Sequence, residues 1–280
     1  MIVSTINELR EKLSYIRKQG KTIGLVPTMG FLHEGHLSLI KRAKQETDFV
    51  VVSDFVNPTQ FAPNEDFDSY PRDIDRDYKL AMETGADIVF YPSVEEMYPK
   101  GSSTFVEVTG DITKVLCGQT RPTHFRGVTT VVNMLFNIVK PDKAFFGQKD
   151  TQQAAVLTKM INDTHQEIEL IVCPIIREKD GLAKSSRNTY LNADEREQAL
   201  ILYESLKLAK EKFNGGEKNI DILKQLVVDN INTMPLAKID YVEIYSYPML
   251  TKIDSAQGKF IIAVAVYFGK TRLIDNVILE

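Results

Sequence analysis

Apolar residues at Ile6, Leu9, Leu13 and Ile16 recur at the spacing of one helical face, and Gly20 stands where such a helix ends. The spacing predicts an amphipathic helix over 6–19. Thr22 to Val26 is a short apolar strand that runs into a turn, Pro27-Thr28-Met29-Gly30. His36 to Lys44 reads as a helix with Leu37, Leu39, Ile40 and Ala43 as its apolar set. Phe49 to Ser53 is an unbroken apolar run of the kind buried on both faces in parallel sheets. The alternation continues: helix Asp73–Thr84 capped by Gly85, strand Ile88–Tyr91, helix Val128–Val139, strand Lys143–Phe146, helix Thr151–Asn162, strand Glu167–Cys173.

Strands that alternate with helices predict an α/β fold with a Rossmann-like parallel sheet. Ligands of such sheets bind outside the carboxyl ends of the strands. The unusual residues fall there, after Val26, Ser53, Phe146 and Cys173. The pattern changes near Pro174. A polar loop, Glu178 to Asn188, leads to a helix from Asp194 to about Phe213, a turn at Asn214-Gly215-Gly216, and a second helix from Ile220 to Ile231. Three strand-like runs close the chain: Lys238–Tyr245, Phe260–Tyr267 and Arg272–Leu279. Alternation at Ile239, Tyr241, Glu243 and Tyr245 predicts a half-exposed antiparallel sheet. The expected organisation is a domain over 1–175 and a smaller C-terminal α+β domain over 176–280.

Composition narrows the function. The 280 residues are 43% hydrophobic and 26% charged, ordinary for a soluble globular protein. No apolar run reaches the roughly 18 residues of a membrane span, so no membrane partner is expected. Met1 to Arg10 carries Glu8 and has no apolar centre, unlike a signal peptide, and a cytoplasmic location is expected. Cys117 and Cys173 have no metal-like spacing and read as structural thiols. A formal charge of −4 is not that of a nonspecific nucleic-acid binder, so cations for any polyanionic ligand must be gathered locally.

The first such gathering is His33-Glu34-Gly35-His36 at a strand-to-helix junction. A helix N-terminus offers unpaired N–H groups and the positive end of a dipole, and Gly35 lets a nucleotide approach the backbone. Two imidazoles can donate to phosphate oxygens as charge develops. The competing readings are a pair of helix-capping histidines, or a zinc site with His124 as the one near third ligand, although the spacing is not the i, i+4 of zinc helices. The second gathering is Lys184-Ser185-Ser186-Arg187-Asn188 after Asp180-Gly181, a compact anion clamp that alone reads equally as a solvated loop. Together they resemble the paired signatures of the nucleotidyl-transferase superfamily, which opens ATP at its α-phosphate.

Longer stretches make the resemblance specific. Pro27-Thr-Met-Gly-Phe-Leu-His-Glu-Gly-His-Leu-Ser-Leu-Ile40, Phe55-Val-Asn-Pro-Thr-Gln-Phe61, His124-Phe-Arg-Gly-Val128, Phe146-Gly-Gln-Lys-Asp150 with Gln152-Gln153, and Asp180-Gly-Leu-Ala-Lys-Ser-Ser-Arg-Asn188 are similar to the motifs of the pantothenate synthetase (pantoate–β-alanine ligase) family, in the family's order. The resemblance implies condensation of (R)-pantoate with β-alanine, using ATP and Mg2+, through a pantoyl-adenylate, by a homodimer. It places Met29, Gly30, Phe31, Leu32, His33, Glu34, Gly35 and His36 on one wall of the ATP site, with His36 giving general-acid help and His33 on phosphates. Gly147, Gln148, Lys149 and Asp150 would hold the nucleotide, with Lys149 near phosphate and pantoate oxygens. Ile176 would meet adenine through its backbone, and Lys184, Ser185, Ser186 and Arg187 would close over the triphosphate. Gln60 and Gln153 would bind pantoate, with Asn57 shaping that pocket and Gln60 also serving β-alanine.

Residue chemistry agrees with this partition. A glutamine amide donates and accepts, which suits hydroxyls and a carboxylate without neutralising a nucleophile. Lys149 supplies charge where two anions must meet. Arg126 reads equally as a site-orienting residue or the partner of an acidic neighbour. Gln148 stands where many relatives are acidic and Lys184 where many carry methionine; both departures favour anion binding. Asp150, Asp75 and Asp77 are the candidate magnesium ligands. The alternative is another nucleotidyl transferase acting on a phosphorylated small molecule, which needs a phosphate-binding residue in place of Gln60 and Gln153.

Overall fold

The computed structural model describes residues 1–62, 65 and 67–280. Within them, β1 (Ile2–Val3), β2 (Ile23–Thr28), β3 (Phe49–Asp54), β4 (Ile88–Phe90), β5 (Lys143–Gly147) and β6 (Glu169–Cys173) form a six-stranded sheet in the order β1-β4-β3-β2-β5-β6. Every pairing in it is parallel. Between the strands run α1 (Ile6–Lys18), α2 (Glu34–Glu46), α3 (Ile74–Thr84), the short α4 (Val94–Met97) and α5 (Cys117–Thr120), α6 (His124–Val139) and α7 (Thr151–Asp163). Val50, Val51 and Val52 of β3 are fully buried, as a parallel strand covered on both faces requires. The chain steps from β2 to β3 and β4 on one side, then returns to lay β5 and β6 on the other. That reversal opens a crevice at the carboxyl ends of β2 and β5, where ligands of such sheets bind.

The sequence expectation for this part holds for β2 to β6 and for α1, α2, α3, α6 and α7 apart from end residues, whereas β1 and the short helices α4 and α5 lie outside it. β1 is only two residues long, below what a periodicity signal can mark, and it pairs with β4 at the sheet edge.

The C-terminal part contains α8 (Ala193–Gln198), α9 (Ile201–Asn214), α10 (Ile220–Ile231), β7 (Ala237–Ser246), β8 (Phe260–Phe268) and β9 (Thr271–Leu279). The strands form an antiparallel sheet in the order β7-β8-β9. The single helix expected from Asp194 is two helices, because tighter i, i+3 bonds (Leu200 N–H to Glu197, Leu202 N–H to Ala199) interrupt it without a proline or glycine to announce the change.

The half-exposed sheet is also corrected. Val242, Ile244, Ile262 and Val264 pack with α9 and α10, while Tyr241, Tyr245, Ile261 and Ala263 join the core of the parallel-sheet domain. A bulge between Ile239 and Tyr241 shifts the register along β7. The sheet is therefore covered on both faces, and its second face is closed by residues more than a hundred positions away in the chain.

Candidate active site

His33 is the N-cap of α2, with extended backbone, and it forms a reciprocal capping box with His36. Its Nδ1 accepts from the Gly35 N–H at 3.1 Å, and the His36 Nδ1 accepts from the His33 N–H at 3.3 Å. An imidazole that accepts at Nδ1 carries its proton on Nε2 when neutral, so each ring is left with one N–H donor. Burial is the main reason the His33 imidazole is lowered to about 4, with Lys149 next, and burial drives His36 well below the ordinary value. The two neutral rings stand 4.1 Å apart. Gly35 is required by the cap itself, since a Cβ there would lie 2.8 Å from the His33 ring. The capping reading therefore does not compete with the phosphate-donor reading: capping at Nδ1 fixes the tautomer that leaves Nε2–H as a donor.

The turn before α2 hangs on Asp77. The Leu32 N–H donates to its carboxylate at 2.7 Å, and the Phe31 N–H donates to the other oxygen. Arg76 donates to the Leu32 carbonyl at 2.9 Å and stacks on the Phe31 ring. Leu32 is itself in the core. Asp77 is spent on backbone, which removes it as a magnesium candidate, and Asp75 is exposed on the first turn of α3. Asp54, buried at the end of β3, is raised to about 7 by desolvation and then by the charge of Asp77.

On the opposite wall, Asn57 uses its whole amide internally. Its Oδ1 accepts from Tyr98 at 2.8 Å and from Thr59, and its Nδ2 donates to Gln60 Oε1 and to the Gly127 carbonyl, both at 3.2 Å. The Gln60 carbonyl accepts from Arg121 at 3.2 Å and lies 2.9 Å from His124 Nδ1. Arg121 is anchored in turn by both Glu65 oxygens. α6 approaches this segment so closely that a Cβ on Gly127 would lie 2.3 Å from the Thr59 carbonyl oxygen. His124 is therefore a buttress of Gln60, lowered to about 4 by burial and by Arg121, and the zinc reading ends with it. Among the described residues the Gln60 Nε2 reaches only a thioether, Met29 Sδ at 2.7 Å, a weak acceptor that a carboxylate or hydroxyl readily replaces.

After β5, residues Gln148–Asp150 form a 3-10 turn into α7. Lys149 Nζ is 3.6 Å from Asp150. Gln148 does not face the cavity; its Nε2 donates to Asn276 Oδ1 at 3.2 Å. Gln152 is buried and accepts from Cys117 N–H while donating to the Ile112 and Val115 carbonyls. Among the described residues nothing pairs with the Gln153 amide, which lines the cavity. Arg126, expected to orient the site or pair with an acid, is exposed and stacks on Phe105, and it pairs with no acid among the described residues.

The clamp segment springs from a small hairpin. Lys184 N–H donates to Ile176 at 2.9 Å and Glu178 N–H to Leu182 at 2.8 Å, so the Ile176 carbonyl is engaged. Ser185 Oγ caps the following turn by accepting from Arg187 N–H, and Ser186 Oγ lies 3.3 Å from Tyr70 Oη. The Arg187 guanidinium lies 6.0 Å from the Tyr70 ring centre. Lys184 Nζ is 3.1 Å from Glu34.

A cavity of about 220 Å³ collects Met29, His33, Gly35, His36, Asn57, Gln60, Gly147, Lys149, Asp150, Gln153, Ile176, Lys184, Ser185, Ser186 and Arg187. It shares Lys149, Gln153, Arg121 and Arg187 with a cleft of about 1000 Å³ that reaches the C-terminal sheet. Of the expected residues, Gly30, Phe31, Leu32, Glu34 and Gln148 lie outside the cavity wall. Arg121, Asp77 and Asn276 support the site without having been singled out for that role. For Asn276 there was one signal, the polar pair Asp275-Asn276 between Ile274 and Val277.

A family model described as pantoate-beta-alanine ligase matches residues 1–278. The chain belongs to the pantoate–β-alanine ligase family. The pantothenate synthetase of Carboxydothermus hydrogenoformans is 57% identical over 275 residues, 98% of this chain and 97% of the relative. That of Clostridioides difficile is 56% identical over 280 residues, 100% of this chain and 99% of the relative. Among solved structures, the pantothenate synthetase of Thermus thermophilus superposes with a TM-score of 0.94 at 42% identity, covering 99% of this chain and 98% of that one. The pantoate–β-alanine ligase of Francisella tularensis, described as complexed with beta-gamma ATP and beta-alanine, gives a TM-score of 0.80 at 36% identity over 99% and 97% of the two chains. The parallel sheet with an added antiparallel C-terminal sheet is thus the fold of this ligase family.

Proposed function

We propose that the cavity between the α2 N-terminus, the Lys149 turn and the clamp joins (R)-pantoate to β-alanine at the expense of ATP, through a pantoyl-adenylate. The observation that carries this reading is the convergence of two neutral Nε2–H donors, the Lys149 ammonium and the amides of Gln60 and Gln153 on one small cavity. A pantoate carboxylate oxygen attacks the α-phosphorus, the bond to the bridging oxygen breaks, and pyrophosphate leaves. The free amine of β-alanine then attacks the acyl carbon, the acyl C–O bond breaks so that AMP leaves carrying the former carboxylate oxygen, and the nitrogen releases a proton to solvent as the amide forms.

Each residue contributes position or charge. Gln60 and Gln153 orient pantoate, and Gln60 afterwards serves β-alanine, while Asn57 holds Gln60 in place. Lys149 offsets the repulsion between carboxylate and phosphate as they close. His33 and His36 donate to phosphate oxygens; since both rings are neutral, His36 acts first as a hydrogen-bond donor, and bound phosphate charge raises its basicity toward proton transfer. Ile176 offers its N–H to adenine, and Lys184, Ser185, Ser186 and Arg187 hold the triphosphate and shield the adenylate from water.

Among the described residues no three His, Cys, Asp or Glu side chains converge as a metal site. That fits magnesium brought in by the nucleotide, which is held by phosphates, waters and one or two carboxylates. Asp150, half exposed on the cavity wall, is the carboxylate that suits it. The ion would neutralise phosphate charge. We further take 1–175 and 176–280 as the two domains, and the enzyme as a cytoplasmic homodimer; among the described residues no helix is long and apolar enough to cross a membrane.

The test is exchange of labelled pyrophosphate into ATP. Exchange that depends on pantoate and needs no β-alanine is expected; its absence, with pantothenate still formed, rules out the adenylate route.

A further inference from the structure

Asp275 and Asn276 are adjacent on β9 and, like successive residues of any strand, face opposite sides of the sheet. Asp275 sits opposite Val264, on the side packed by α9 and α10, and Asn276 opposite Ala263, on the side docked against the parallel-sheet domain. Asp275 is 2% exposed and takes Arg177 in a two-pronged ion pair, with Nη2 at 2.9 Å from Oδ1. Arg177 lies on the hairpin arm opposite the clamp, bridges to Ala183, and stacks 4.1 Å over the Tyr203 ring.

Asn276 is 3% exposed and grips the other anion-handling segment. Its Nδ2 donates to the Gln148 carbonyl at 3.0 Å and to the Lys149 carbonyl at 3.1 Å, and its Oδ1 accepts from Gln148 Nε2 at 3.2 Å. Only one orientation of the amide satisfies all three. The turn it grips has no side-chain cap at Gly147 or at Asp150. Two part-buried carbonyls therefore depend on a side chain from a strand at the far end of the sequence, and leaving them unpaired is costly.

We propose that Asn276 is a positioning residue for the reaction, setting through the Gln148 and Lys149 carbonyls where the Lys149 ammonium stands relative to the clamp that Asp275 anchors. The proposal rests on the reading of Lys149 as the charge between carboxylate and phosphate. It makes seating of the C-terminal sheet a condition for the first chemical step, because one strand registers both segments.

The experiment measures pantoate-dependent pyrophosphate exchange per folded protein in wild type, Asn276→Ala, Asn276→Asp, Lys149→Ala and the Lys149→Ala/Asn276→Ala double variant, with thermal unfolding of each. Asn276→Asp keeps the side-chain shape while aiming a carboxylate at two carbonyls, so it serves even if Asn276→Ala fails to fold. Both Asn276 variants should slow exchange by roughly 10-fold or more with the ATP KM nearly unchanged, as a displaced group does. In the Lys149→Ala background, loss of Asn276 should change the rate by less than about twofold, because residues acting as a unit are not additive. The same fold-loss with and without Lys149, or losses that only follow the folded fraction, would overturn the proposal. Slow Lys149→Ala beside normal Asn276 variants would overturn it while leaving the Lys149 reading intact. Wild-type exchange by Lys149→Ala would remove that reading and the proposal together.

Discussion

Lys184 Nζ lies 3.1 Å from Glu34 Oε2, so the phosphate clamp is tied by a charge pair to the first residue of α2. The carboxylate is lowered first by its own backbone N–H and then by Lys184. Lys184 is therefore engaged by Glu34, and on the proposed reading a nucleotide must draw it away. The Glu34 side chain is 63% exposed, which keeps the pair weak.

Replacing Glu34 by Gln should release Lys184 and lower the KM for ATP, by no more than about fivefold given the usual strength of exposed pairs. The gain should shrink as salt is raised. Initial rates at varied ATP, at low and high ionic strength, check both parts; a raised KM would mean that Glu34 itself aids binding.

The capping box separates two roles for His36. Replacement by Ala removes the Nε2–H and should slow adenylation by about 10²-fold or more. Replacement by Gln restores an N–H donor at similar reach and should recover much of that loss if hydrogen bonding dominates. Equal defects in the two variants, measured by pyrophosphate exchange, would point instead to proton transfer.

Adjacent glutamines should behave differently. Gln153→Ala should raise the KM for pantoate by about 10-fold or more, the usual cost of a lost bond to a charged group, with thermal stability unchanged. Gln152→Ala strips partners from Cys117, Ile112 and Val115 and should lower the unfolding temperature with little change in KM. Steady-state kinetics with a melting curve for each variant tests the contrast.

Stability should respond to pH in two opposed windows. Asp54 has an ordinary value of 3.8 and is raised to about 7, so the folded state binds more protons between those values. Its contribution is fully present below the lower value and is lost as pH rises through the upper one. The shift corresponds to at most about 4 kcal/mol. His33 and His124 fall from 6.5 to about 4, so their contribution is present above 6.5 and is lost as pH drops toward 4. Asp54→Asn should flatten the fall in unfolding temperature between about pH 5 and 7 and leave the acid-side fall in place. Melting curves from about pH 4 to 8 report both slopes; an unchanged neutral-side slope would show that Asp54 is ionised in the fold.

What the sequence determined by itself was whatever depends on neighbours within a turn or two. The helix Ile220–Ile231 and the strand-helix alternation through Cys173 follow from spacing, because spacing decides which side chains share a face. The His33–His36 arrangement was legible for the same reason, since a capping box closes over four residues. Only the tertiary structure decided what covers each face and where each polar group finds its partner. It buried both sides of the C-terminal sheet, sent Gln152 inward and left Gln153 facing the cavity. It turned Gln148 away from the cavity wall and brought Asn276 onto the Lys149 turn. Those outcomes depend on contacts between distant segments, such as Gln148 with Asn276 across 128 positions, and no local period carries that information.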